Sequence, residues 1–165
     1  MRLILVRHAK TEGNNPRGDH ARELTERGRN DAATVAERLR AYPIDYALVS
    51  TSARTRQTFD ALDLDVPVEF LDDIYSQDLD KIGQHISEVP EGTETLLIVG
   101  HSPSLPALSV NLAAAAADEA GADDVARHFP TSAFTVFSID GDWSQIVEAE
   151  GFDAVRFEGI FRPKD

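Results

Sequence analysis

The sequence predicts an α/β fold, a three-layer α/β/α sandwich on a mainly parallel mixed sheet, and three observations carry that expectation. Apolar runs of strand length recur at Leu3 to Val6, Tyr46 to Val49, Val66 to Leu71 and Thr95 to Val99. Stretches with helically spaced apolar residues lie between them, the alternation that builds parallel sheets through right-handed crossovers. After Pro130 the texture changes to two strand patterns around Asp140-Gly141, a hairpin signal that appends antiparallel strands and makes the sheet mixed.

Each element follows from local patterning. The run "LILV" is apolar at every position, as a strand buried on both faces must be. The first helix is expected from Thr25 to about Tyr42, with Ala32, Val35, Ala36 and Leu39 on one face, and Pro43 stops it. Ser52 is placed to cap a second helix carrying Phe59 and Leu62. A third is expected to start near Pro103, pass Leu105, Leu108 and Leu112, and end in "AAAAADEAGADD", whose carboxylates read as a solvated face.

A chain of 165 residues without a Pro/Gly/Ser-rich linker reads as one domain, residues 1–165. Its net charge of −13, from 29 acidic and 16 basic side chains, repels nucleic acid and anionic membrane, so neither is expected as a partner. Three of those 16 cations are lysines, which leaves thirteen arginines, the residue suited to gripping phosphate or carboxylate through a planar fork. With no cysteine there is no disulfide, thiolate metal site or cysteine nucleophile. The first apolar run is too short for a signal-peptide core or a bilayer span, and the expected location is cytoplasmic.

Ligands of open α/β sheets bind beyond the carboxyl ends of parallel strands, so the polar residues after each apolar run locate the site. "LILV" is followed by Arg7 and His8, "YALVS" by Thr51, Ser52 and Arg54, and "TLLIVG" by His101 and Ser102. A packed core gains nothing from gathering arginines and histidines at one sheet edge. A phosphoryl group, with its negative oxygens, needs them.

Taken in order, "VRHAKTEGN", "STSARTRQT" and "VGHSP" resemble the histidine phosphatase superfamily, also called phosphoglycerate mutase-like, over most of the chain. "RELTERG", residues 22–28, resembles in particular the short SixA-type phosphohistidine phosphatases. The resemblance implies a hydrolase in which His8 takes the phosphoryl group onto a ring nitrogen and yields it to water. It implies further that Arg7, Arg54 and His101 bind the phosphoryl oxygens, and that Asn14 occupies a family position that also touches phosphate. Neutral imidazole is a competent nucleophile, and arginines can neutralise charge as magnesium does elsewhere. No cofactor or metal is therefore expected, in keeping with a sequence that has no Walker loop, HExxH or EF-hand loop.

The general acid of larger relatives is a glutamate after the third strand. The corresponding segment here is "FLDDIYSQD", which makes Asp73 the first choice and Asp72 the fallback. A phosphohistidine has a good leaving group and tolerates weak acid catalysis, so the expected substrate is a phosphorylated protein carrying phosphohistidine. A small phosphorylated molecule and a non-catalytic phosphate-binding module are the alternatives. Ala9-Lys10 in place of Gly-Glu, Gly13 in place of tryptophan and Ser102 in place of asparagine depart from the family pattern and bear on specificity. "GHSPS" imitates a serine-hydrolase elbow, but Pro103 has no N–H to offer an oxyanion.

Overall fold

Leu3 and Leu5 face one side of a central strand and Ile4 and Val6 the other, and all four are fully buried. Burying each such side chain contributes roughly 1.5–3 kcal/mol, so this strand anchors both layers that cover it. A computed structural model describes residues 1–146 and 154–163. Its strands are β1 (Arg2–Arg7), β2 (Tyr46–Ser50), β3 (Val68–Leu71), β4 (Thr95–Gly100), β5 (Phe134–Ile139) and β6 (Val155–Phe161). They form one sheet in the order β3-β2-β4-β1-β5-β6, parallel from β3 to β1 and antiparallel at β5 and β6.

The helices are α1 (Glu26–Leu39), α2 (Ala53–Ala61), α3 (Asp72–Tyr75), α4 (Leu79–Ser87), α5 (Ser104–Ala115) and α6 (Glu119–Arg127). Val35 and Leu39 of α1 and Phe59 of α2 pack with Ile4, Val6, Leu97 and Val99 on one face. Ile74, Ile82, Ile86, Leu105, Leu108 and Leu112 cover the other with Leu3, Leu5, Leu96 and Ile98. The result is the expected three-layer sandwich. None of these helices is long and apolar enough to cross a membrane.

Local signals place most boundaries. Thr25 caps α1 by accepting from Gly28 N (3.0 Å), Ser52 caps α2 from Thr55 N (3.4 Å), and Asp78 caps α4 from Lys81 N (3.2 Å). Helix α1 stops at Leu39 rather than Tyr42, because the Tyr42 and Ile44 amides turn back to the Leu39 and Tyr42 carbonyls. The alanine-rich stretch is a helix end and a new helix: Ala117 turns the chain at φ 58°, and Asp118 then caps α6 by accepting from Gly121 N at 2.7 Å.

The expected hairpin is present as the β5·β6 pair, yet β6 starts only at Val155. After Asp140-Gly141 the chain forms a 3₁₀ turn, Trp143–Ile146, with both end residues buried and Trp143 Nε1 donating to the Thr93 carbonyl at 2.8 Å. Burying a tryptophan outweighs the local alternation that favours a strand. The rest of the second strand pattern lies on residues 147–153, outside the described residues.

Candidate active site

Strands β1 and β4 pair with Arg7 opposite Gly100, so His8 and His101 leave neighbouring strands at the same level. The His8 amide donates to the Gly100 carbonyl at 3.0 Å, and the two imidazole centroids lie 5.4 Å apart. Because the chain crosses from β1 over β4 to β2, the crevice beyond these carboxyl ends is a topological switch point. It holds a cleft of about 330 Å³ lined by, among others, Arg7, His8, Arg22, Arg54, Gln77 and His101.

His8 is buried, and its Nδ1 lies 2.8 Å from the Ala9 carbonyl, which can only accept. The ring proton therefore sits on Nδ1 and the Nε2 lone pair is free. Ala9 is itself held by its N–H to Thr58 Oγ1 (3.0 Å) on α2. Burial pushes the His8 pKa down to about 4 against the raising effect of the Ala9 bond, with Arg54, Arg7 and Arg22 adding to the fall. At neutral pH the ring is uncharged.

The loop after His8 is fixed by the first turn of α1. A Cβ on Gly28 would stand 2.1 Å from the Lys10 carbonyl oxygen, so only glycine lets the helix approach this closely. That is the physical content of the "TERG" signal.

Arg7 Nη1 donates to the Phe129 carbonyl at 2.8 Å, while its buried Nε has no partner. Arg54 sits in the first turn of α2, where Nη1 donates to the Asp19 carbonyl (2.9 Å) and Nη2 to Asp19 Oδ2 (3.2 Å); its Nε is likewise buried and partnerless. His101 Nε2 lies 2.7 Å from Ser50 Oγ, and its buried Nδ1 has no partner. An unsatisfied buried donor costs about 1–3 kcal/mol. Of the five buried partnerless side-chain polar atoms among the described residues, three are nitrogens of these cleft residues. An anion with several oxygens would supply acceptors for such a set.

The structure does not bring every expected residue to the cleft. Asp73 accepts from His85 Nε2 (2.8 Å) and pairs with Lys81 (3.6 Å), contacts that hold its pKa down, His85 foremost. It is absent from the lining, as is Asp72, which accepts from the Thr51 hydroxyl at 2.6 Å. Asn14 is exposed and also outside the lining. Arg56, also on α2, stacks its guanidinium 3.9 Å from the Phe70 ring centroid.

Other residues enter unannounced. Asp19 accepts from Tyr75 (2.7 Å), Arg54 (3.2 Å) and Arg22 (3.1 Å), and its pKa falls to about 2, the Tyr75 hydrogen bond first among the causes. Tyr75 meets the His101 ring edge-on at 5.7 Å. Gln77, at φ 61°, accepts from Ser104 N (2.9 Å) through Oε1. Arg22 belongs to the quoted "RELTERG", which could have flagged it. Nothing local marks Asp19, whose partners lie up to 56 residues away.

Residues 3–93 match the family model of the histidine phosphatase superfamily (branch 1). The chain belongs to the histidine phosphatase superfamily. An uncharacterized Mycobacterium tuberculosis protein is 33% identical over 144 residues, 86% of this chain and 91% of that one. One from Mycobacterium leprae is 31% identical over 160 residues, 92% and 98% of the two chains. A solved structure from Nakamurella multipartitia, described as a candidate phosphohistidine phosphatase SixA, is 30% identical with TM-score 0.86, covering 99% of this chain and 96% of that one. An Agrobacterium tumefaciens structure with the same description is 26% identical with TM-score 0.78, covering 98% and 97%. This histidine phosphatase is thus a hydrolase of the SixA-type branch, with phosphatase activity.

The two buried imidazoles give this phosphatase an acid-sensitive fold. Unfolded, each ring takes up a proton near pH 6.5. Folded, His8 does so only near pH 4 and His101 near pH 3, burial being the main cause in both. Between these values the unfolded chain holds more protons, so stability is complete above about pH 6.5 and falls as the pH drops toward 4. Urea midpoints measured across that window are expected to decline, and a His8→Asn/His101→Asn variant to show a flatter profile. An equally steep decline in the variant would assign the effect to other groups.

Proposed function

We propose that this phosphatase hydrolyses phosphohistidine on a protein partner by transferring the phosphoryl group to Nε2 of His8 and then to water, without a metal ion. One observation carries the reading: a neutral His8 with its Nδ1 committed to Ala9, beside three buried nitrogens that lack partners. Arg7 and Arg54 offer their Nε–H groups to the phosphoryl oxygens. When the Ser50 hydroxyl donates to Nε2 of His101, the ring proton lies on Nδ1, which becomes the third donor. These donors stabilise charge spread over the equatorial oxygens in transfer.

The choice of phosphohistidine over a phosphoester rests on the leaving group. Expelling an alkoxide calls for a nearby acid. Asp73 and Asp72 are engaged elsewhere, and the single carboxyl group among the described lining residues, that of Glu12, is held below its usual pKa by Asn15 first and by the Glu23 amide. Imidazole leaves without such help. The net charge of −13 favours a partner that docks by a neutral or basic face.

Phosphate release should be compared, with and without EDTA, between a phosphohistidine-bearing carrier protein and a panel of sugar and aryl phosphates. The expected result is a kcat/KM for phosphohistidine on the order of a hundredfold higher, unchanged by EDTA. Preference for a phosphoester would replace the substrate, loss of activity in EDTA would remove metal independence, and phosphate binding with no turnover of any substrate would leave a binding module.

A further inference from the structure

Glu12 stands out in the cleft. It is the lone acidic side chain among the described lining residues, where Arg7, Lys10, Arg22 and Arg54 supply positive charge. A carboxylate there repels phosphate, so phosphate binding gives no reason for it. It is also held firmly for a loop residue. The Glu12 amide donates to the Glu23 carbonyl (3.0 Å), and the Glu23 amide returns to Glu12 Oε1 (3.2 Å), which also accepts from Asn15 Nδ2 (2.8 Å). Arg22 Nη1 donates to the Glu12 backbone carbonyl at 3.0 Å and not to its carboxylate. Oε2 accepts no hydrogen bond from the described residues.

Resting on the phosphohistidine reading above, we propose that Glu12 is a specificity-determining residue that accepts the ring N–H of the leaving imidazole and so selects phosphoryl groups carried on nitrogen over those carried on oxygen. The chemistry balances without a further acid. The substrate ring enters with phosphorus on one nitrogen and a proton on the other, so it bears a positive charge that the carboxylate stabilises. As His8 Nε2 forms its bond to phosphorus, the substrate P–N bond breaks and its electron pair returns to the ring nitrogen. The ring departs as neutral imidazole, still protonated where Glu12 holds it. His8 becomes the mirror image, phosphorylated on Nε2 and protonated on Nδ1 against the Ala9 carbonyl. Water then takes the phosphoryl group and restores neutral His8. An ester leaving group has no second nitrogen to present, and for it Glu12 contributes only repulsion.

The test is Glu12→Gln, whose amide oxygen can still accept from Asn15 and Glu23, assayed with N-phosphorylimidazole and with 4-nitrophenyl phosphate. A charge-assisted hydrogen bond of the usual strength corresponds to a loss of about tenfold to a hundredfold in kcat/KM for the phosphoramidate. The aryl phosphate, relieved of repulsion, is expected to gain, so the ratio of the two constants falls by more than tenfold. An unchanged ratio, including a parallel loss on both substrates, would reduce Glu12 to a loop support and overturn the proposal while leaving phosphohistidine hydrolysis in place. If the unmodified enzyme turns over the aryl phosphate but no phosphoramidate, the substrate reading fails and this inference falls with it.

Discussion

His8→Ala is expected to lower kcat/KM by at least ~10⁴-fold on every substrate, because it removes the atom that accepts the phosphoryl group and the remaining residues cannot supply another. His20, His85 and His128 offer no substitute: none lines the cleft, and the first two bond to Thr51 and Asp73. The variant should fold, since the ring it loses is a neutral buried group whose Nδ1 bond is to the adjacent Ala9 carbonyl. It should also retain phosphate, because Arg7, Arg54 and His101 stay. Initial rates together with equilibrium binding of inorganic phosphate check both halves. Turnover within tenfold of the unmodified enzyme would mean that His8 is not the nucleophile, whatever else it does.

The second large effect is expected at Arg54. Arg54→Ala should cost about 10²–10³-fold in kcat, the range seen when one preorganised donor to developing charge is removed. Arg54 lies 6% exposed with both terminal nitrogens tied to Asp19, so its Nε–H is aimed by the rest of its own side chain. Lysine cannot reproduce that arrangement, because a single ammonium cannot hold the Asp19 carbonyl and carboxylate and still present a third fixed donor. Arg54→Lys should therefore recover less than a tenth of the lost rate. Full recovery by lysine would show that Arg54 contributes charge alone, without geometry.

The central residues were legible in the sequence for a physical reason. A strand buried on both faces reads as an unbroken apolar run, and the residue after it is by construction at the mouth of the sheet. Arg7, His8 and His101 are therefore visible without knowing how the strands pair. Arg54 is visible because Ser52 announces the helix that carries it. The network that orients Arg54 was not legible: Asp19 meets it across 35 residues, Tyr75 in turn meets Asp19 across 56, and neither Asp19 nor Tyr75 belongs to a periodic pattern. The expected acid, Asp73, illustrates the converse. Its position after β3 suits the role, but His85 on α4, twelve residues on, draws it away, a contact that helical spacing alone does not reveal. The new helix that follows the expected helix end at Ala117 escaped for a similar reason, since alanine favours helix everywhere and only the Asp118 cap marks the new start.

The claim that the phosphoryl group passes through His8 is tested most directly by rapid-quench trapping from a phosphohistidine protein labelled with radioactive phosphate, followed by mapping of the labelled peptide. Acid-labile, alkali-stable label is expected on the peptide containing His8, formed faster than phosphate is released and missing in His8→Ala. Steady release of phosphate with no labelled peptide at any quench time, or label on a peptide without His8, would contradict it.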